Sequence, residues 1–232
     1  MRLRLVHGFT QTTRSWEPLE ARLPHDWDVQ AIDVPDGLDF VSTAGTLGVR
    51  GAEGTWVGYS MGGRLCIRLA LDRPDLVERL VLLSASPGIA SDGEREARLA
   101  ADQRLVEELE RDGVEVFMDR WLSQRLFETL PREAAMIDDR VRRNTVHRLA
   151  HQLRALGQGA HEPMWDRLGQ LNMPVLLVSG QWDRAYTEIA EKMSAAIGAN
   201  AKAVAVEKAG HALHLERPAE VAELLTSWLE TE

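Results

Sequence analysis

Thr55-Trp56-Val57-Gly58-Tyr59-Ser60-Met61-Gly62-Gly63-Arg64-Leu65-Cys66-Ile67-Arg68-Leu69-Ala70 is the stretch on which the reading turns. A short apolar run enters Gly58-Tyr59-Ser60-Met61-Gly62, a G-x-S-x-G, and an amphipathic helical pattern leaves it. Strand, sharp turn and helix in that order are what a nucleophile elbow requires, with the serine hydroxyl projecting above a sheet. Glycines around the serine let the backbone turn tightly and let neighbouring elements approach. The bland alternative is a serine in an ordinary glycine turn, and the strand-to-helix context weighs against it.

Working outward, short Val/Leu-rich runs alternate with longer amphipathic stretches, the pattern of βαβ units and a parallel sheet. Strands are expected at Leu3–His7, Val29–Val34, Thr55–Tyr59, Leu80–Ser84, Val175–Ser179 and Ala203–Val206. Most are continuous rather than alternating, as when helices cover both faces. Helices are expected near Trp16–Leu23, Gly62–Arg73, Thr187–Ile197 and Ala219–Leu229, the last after Pro218. Between Ser86 and about Trp165 the rhythm changes: Ala97–Arg111, Val114–Leu122 and Arg140–Leu156 read as helices, with no convincing strand. The expected organisation is an α/β core from 1-86 and 166-232, carrying a helical lid at 87-165 over the carboxyl edge of the sheet.

A serine hydroxyl needs a histidine to take its proton and an acid to orient that histidine. Of seven histidines, only His211, in Lys208-Ala209-Gly210-His211, stands just after the final expected strand. His214 is expected to pack or face solvent, and His7 to make structural hydrogen bonds. His147 and His151 share a helix face, but no nearby carboxylate motif supports a metal site. Asp183, in Ser179-Gly180-Gln181-Trp182-Asp183, lies just past the penultimate strand, where a plain ion pair with Arg184 is the alternative. Ser60, Asp183 and His211 thus run in the order Ser…Asp…His, each after a different strand. Ligands of open α/β sheets bind at those carboxyl ends. An oxyanion hole needs two backbone N–H donors. Position assigns them to Met61, directly after the nucleophile, and to Phe9 in the turn after the first strand, where Phe9 also serves as a core aromatic.

Composition narrows the class. The 232 residues suit one domain with a modest insertion, 44% of them apolar and 27% charged. A net charge of −9, from 27 basic and 36 acidic residues, argues against a nucleic-acid surface. One cysteine, Cys66, excludes an internal disulfide framework and reads as a packed small residue. No run approaches the ~20 apolar residues of a membrane span, and the amino terminus lacks the apolar core of a signal peptide. A cytoplasmic location is expected. No motif implies a metal or organic cofactor, and the sequence leaves the oligomeric state open. Only three basic residues are lysine, so 24 are arginine. Codon bias is the bland explanation expected for most of that excess, with room for some arginines to clamp carboxylates.

His7-Gly8-Phe9, the Gly58–Gly62 elbow, Asp183 and Gly210-His211 together resemble the α/β-hydrolase superfamily across nearly the whole chain. Two departures stand out. The chain starts at what would be that fold's third strand. In Asp33-Val34-Pro35-Asp36-Gly37 the usual D-x-P-G-x-G is altered, and Leu38–Glu53 looks too short and glycine-rich for a full helix. The elbow extended to Gly63-Arg64, then Ser86-Pro87-Gly88-Ile89, Glu94–Arg98, Phe117–Trp121, Leu126-Phe127 and Arg142-Arg143-Asn144 resemble a narrower family. These are the 2-succinyl-6-hydroxy-2,4-cyclohexadiene-1-carboxylate synthases of the menaquinone pathway. The resemblance implies a lyase in which the serine, activated by histidine, removes a ring proton and pyruvate leaves by conjugated elimination. It also implies clamps for a polyanion at Arg64, Arg98 and Arg142, with Trp121 and Tyr59 lining the pocket.

Arg64 lies one turn beyond Ser60, where related hydrolases usually place small or apolar residues. For Arg98 and Arg142 a solvated helix face is the competing reading. Two other functions use the same residues: a serine hydrolase of an ester, lactone or carbon–carbon bond, and a non-catalytic binding protein. The intact triad counts against the second. Three arginines count against the first, because an uncharged ester gains nothing from buried cations.

Overall fold

A computed structural model describes residues 1–231. In chain order the elements begin with β1 (Arg2–Val6), a 3-10 turn at Thr13–Trp16, α1 (Glu17–Glu20), β2 (Asp28–Ile32), α2 (Phe40–Gly51), β3 (Gly54–Tyr59), α3 (Met61–Asp72) and β4 (Val77–Leu83). Three helices follow, α4 (Asp92–Leu122), α5 (Ile137–Arg143) and α6 (Val146–Leu156). The chain then returns to β5 (Val175–Gly180), α7 (Arg184–Ile197), β6 (Ala201–Val206), α8 (Leu213–Glu216) and α9 (Pro218–Thr231). All six strands pair in parallel, in the order β2-β1-β3-β4-β5-β6. β3 and β5 are buried along their whole length, which is why they carry unbroken apolar runs.

The sheet is clad on both faces. On one, Trp56, Leu80 and Leu177 pack with Leu65, Leu69 and Met193 of α3 and α7. On the other, Leu3, Leu5 and Val81 pack with Trp16, Leu19, Leu213 and Leu225. A third cluster belongs to the helices between β4 and β5, where Val106, Leu109 and Phe117 of α4 meet Leu149 and Leu153 of α6. Those helices therefore have an apolar core of their own above the sheet.

Three local readings change and one holds. The region 38–53 does hold a helix: Asp39 caps α2 by accepting from the Ser42 N–H at 2.8 Å. Two of its glycines serve close packing, since a Cβ on Gly48 would stand 2.6 Å from Leu69 and one on Gly51 2.6 Å from the Trp56 ring. The expected pair Ala97–Arg111 and Val114–Leu122 holds as two helical segments of α4 parted at Gly113, whose φ +80° and ψ 173° are not helical, and the first begins earlier than expected because Ser91 caps it. Arg140–Leu156 is two helices, because Thr145 caps α6 and Asn144 turns away to donate to the Thr10 carbonyl at 2.9 Å. Trp16–Leu23 shrinks to a 3-10 turn and the four residues of α1.

One ion cluster ties α6 to the sheet. Arg148 donates to both Asp33 carboxylate oxygens, at 2.8 and 3.2 Å, and Nε2 of the buried His7 lies 2.8 Å from Asp33 Oδ1. Burial works to raise the Asp33 carboxyl, but the hydrogen bonds from His7 and Arg148 outweigh it and hold it below the ordinary carboxylate range. A carboxyl depressed in the fold stabilises above its unfolded pKa of about 3.9, and that contribution is lost as pH falls through the folded value. Asp33→Asn is expected to lower Tm at neutral pH and to narrow the further drop seen on acidification to about pH 3. Thermal melts at the two pH values check this, and an unchanged acid drop would contradict it.

Candidate active site

The elbow forms because nothing larger than glycine fits around it. A Cβ on Gly62 would lie 2.2 Å from the Val6 carbonyl oxygen, so α3 could not approach β1. Ser60 sits at φ +50°, ψ −108°, a strained conformation costing about 1–3 kcal/mol, and its N–H donates to the Leu83 carbonyl at 2.9 Å. The strain lifts the hydroxyl off the sheet edge into a cavity of about 260 Å³.

His211 follows β6, and its Nε2 lies 3.3 Å from Ser60 Oγ. Nδ1 of the same ring lies 2.7 Å from Asp183 Oδ2. Asp183 is the N-cap of α7, where its other oxygen accepts from the Tyr186 N–H. Three residues spread over 151 positions thus meet in one line of hydrogen bonds. The rings of Tyr59, Phe127 and Tyr186 surround the imidazole, with centroids 4.5–6.0 Å away, and His211 is 2% exposed. His214 packs between Trp16 and Tyr59 and is fully buried, so burial pushes it well below the ordinary imidazole value and it stays neutral.

Phe9 and Met61 both line the cavity beside Ser60. Neither backbone N–H has a hydrogen-bond acceptor among the described residues. The Phe9 ring stands edge-on to Trp121, centroids 5.0 Å apart, and also meets Phe117. This turn is held from the helices above. Arg140 Nη1 donates to Thr10 Oγ1 at 2.6 Å, and Thr12 Oγ1 donates to Asp139 at 2.6 Å.

The structure brings Arg64 and Arg98 to the cavity and leaves Arg142 outside it. Arg142 projects from α5 into solvent, with 77% of its side chain exposed, and pairs loosely with Asp138. Arg140, two residues earlier, takes the inward place and is 2% exposed. The reason is helical phase: Ile137, Arg140, Val141 and Asn144 recur at i, i+3, i+4 and i+7 on the packed face, and Arg142 falls on the opposite one. That signal was present in the sequence.

Arg64 Nη2 donates to the Leu156 carbonyl at 2.9 Å, and Arg140 Nε to the Ala135 carbonyl at 2.7 Å. Among the described residues neither guanidinium has a carboxylate partner within ion-pair distance. Arg64 Nε, Arg140 Nη2, Trp121 Nε1 and Gln152 Nε2 are buried without any acceptor. Burial pushes both arginines down to about 10, so both remain charged at neutral pH. Arg98 is paired with Asp102 at 2.8 Å and also donates to Gln158. Burial raises the Asp102 carboxyl against the pull of Arg98. Gln158 extends this network to the Tyr186 hydroxyl and Ser86. Arg140, Asp102, Gln152, Gln158 and Tyr186 were not singled out from the sequence; only Arg140 carried a readable signal.

Fold and site together define a class. The sequence profile of the α/β hydrolase family matches residues 5–224, and the chain belongs to that family. Within it, a Bacillus subtilis (strain 168) protein is 32% identical over 97% of this chain and 88% of its own length; it carries the name 2-succinyl-6-hydroxy-2,4-cyclohexadiene-1-carboxylate synthase provisionally. The Serratia proteamaculans (strain 568) protein of that name is 28% identical, over 97% of this chain and 91% of its own. The solved structure of MenH from S. aureus superposes with a TM-score of 0.92 at 26% identity, covering all of this chain and 94% of that one. No helix among the described residues is long and apolar enough to cross a membrane.

Proposed function

We propose that this chain eliminates pyruvate from a polycarboxylated cyclohexene precursor, leaving a cyclohexadiene that carries carboxylate and succinyl groups. The relatives' shared name supports that reaction, and one observation of this chain carries it. Two buried guanidiniums without a carboxylate partner, and four orphaned N–H donors, face the same cavity as Ser60. An unpaired buried charge is costly, so the site stands ready for an anion. A neutral ester would leave those charges unmatched.

In this reading Ser60 Oγ gives its proton to His211 Nε2, while Asp183 holds the other ring nitrogen in the right tautomer. The serine oxygen then takes the substrate's ring proton. The enolate-like charge that develops faces the Phe9 and Met61 N–H groups. As the ring C–O bond breaks, His211 returns its proton to the departing enolpyruvate, which becomes pyruvate, and the relay is restored. Arg64, Arg98 and Arg140 hold the substrate carboxylates, with Trp121 and Tyr59 as walls. The helices at 87–165 act as the lid that excludes water, and a cytoplasmic setting agrees with the single buried thiol, Cys66.

Incubation with the enolpyruvyl precursor, read through coupled pyruvate detection, tests the proposal. One pyruvate per diene formed is expected, with turnover slowed by deuterium at the abstracted ring position. Ring-opened or hydrolysed products without pyruvate would overturn it.

A further inference from the structure

The loop that carries His211 is short and irregular. It begins at Lys208 with φ +55°, and the N–H groups on either side of the histidine, those of Gly210 and Ala212, are taken out of solvent. No strand or helix supplies acceptors for them. One side chain does: Glu216, at the end of α8, accepts from the Gly210 N–H at 2.7 Å through one oxygen and from the Ala212 N–H at 3.0 Å through the other. Resting on the triad reading, we propose that Glu216 is a positioning residue, whose carboxylate clamps the backbone on both sides of His211 and aims the imidazole at Ser60.

The chemistry of the clamp is specific. Hydrogen bonds from backbone N–H to a charged acceptor are about twice as strong as neutral ones, and two in parallel fix an orientation as well as a distance. Other ties on this loop lie before the histidine: the Trp182 N–H donates to the Ala209 carbonyl at 2.9 Å, the Lys208 N–H donates to Gln181 Oε1 at 3.2 Å, and Arg217 Nε donates to the Lys208 carbonyl at 3.0 Å. Without the Glu216 carboxylate the Gly210 and Ala212 N–H groups lose their acceptors, leaving the orientation of the imidazole to Asp183 and the surrounding rings. Ser60 Oγ is already 3.3 Å from Nε2, so a small rotation breaks the relay. Glutamine retains one acceptor oxygen and turns an amide N–H₂ toward the second donor, so it is half a clamp.

The test compares Glu216→Ala and Glu216→Gln with the wild type in pyruvate release and in the rate at which a fluorophosphonate labels Ser60, with thermal melts establishing that each variant is folded. Glu216→Ala is expected to lower kcat and the labelling rate by about 10- to 100-fold with KM little changed, because a misplacement of about 1 Å is worth that much. Glu216→Gln is expected to fall between. A folded Glu216→Ala protein that labels at the wild-type rate, or one whose KM rises while kcat holds, would overturn the assignment. If alanine prevents folding, the glutamine variant decides: slowed labelling supports the clamp and an unchanged rate overturns it. A wild type that resists labelling altogether would overturn the triad reading itself, and is thereby distinguished from a failure of the clamp alone.

Discussion

Alanine at position 60 is expected to lower kcat for pyruvate release by about 10²- to 10⁴-fold, the range that positioned general-base catalysis supplies. The arrangement explains why the loss falls on kcat. Ser60 Oγ is the atom at the end of the line from Asp183 through His211. Removing it leaves the arginines and Trp121 in place, so KM should stay near the wild-type value. The fold should also survive, because alanine relieves none of the packing around Gly58 and Gly62 and keeps the N–H that donates to Leu83. Steady-state kinetics on folded protein check this. Activity within about tenfold of wild type would remove the serine from the mechanism.

A second large effect separates two arginines that stand two residues apart. Arg140→Ala is expected to reduce kcat/KM for the polyanionic substrate by about 10- to 100-fold, the worth of one charge-assisted hydrogen bond of about 1.5–3 kcal/mol. Part of that loss arises through Thr10, whose hydroxyl Arg140 holds and whose neighbour Phe9 supplies a proposed oxyanion donor. Arg142→Ala should change kcat/KM by less than about twofold, since an exposed ion pair contributes about 0–1 kcal/mol and its partner Asp138 is as exposed as it is. Arg140→Lys keeps the charge but not the planar fork, so only partial recovery is expected. Equal losses for the two alanine variants would contradict the placement of Arg140 in the site. Side-by-side kinetics on the three variants decide it.

Much of this molecule was legible before any coordinates. Parallel strands buried on both faces announce themselves as continuous apolar runs, and all six were located to within a few residues. The line of Ser60, His211 and Asp183 was legible for a related reason: each stands within a few residues of the end of a strand, and strand ends are the easiest features to place. Helix interiors between these landmarks were harder. The glycines of α2 argue against a helix by propensity, yet Gly51 is there because the Trp56 ring leaves no room for a Cβ. Tertiary packing overrode the local preference. The Arg142 assignment followed a resemblance position by position, whereas the phase of α5 settles which arginine faces inward. Thr145, an N-cap in the middle of an apparent single helix, was the signal for the split between α5 and α6. Nothing local marks Gln158, because Arg98, Ser86 and Tyr186 come from distant parts of the chain brought near by the folded topology. Glu216 and Asp102 bond partners only four to six residues away, but that spacing alone does not tell a buried clamp from an ordinary surface pair.

The site's electrostatics also explain why the helices above the sheet matter as much as the elbow below. The arginines at the cavity come from both layers: Arg64 from α3, Arg98 from α4 and Arg140 from α5. A shared substrate carboxylate would therefore bind the two layers together.

The ratio of two specificity constants on the wild-type protein tests this most directly: kcat/KM for pyruvate release from the enolpyruvyl precursor against kcat/KM for hydrolysis of a neutral nitrophenyl ester. Cationic groups left unmatched by a neutral ligand predict a ratio of about 10² or more in favour of elimination. Brisk ester hydrolysis with no pyruvate released would contradict it.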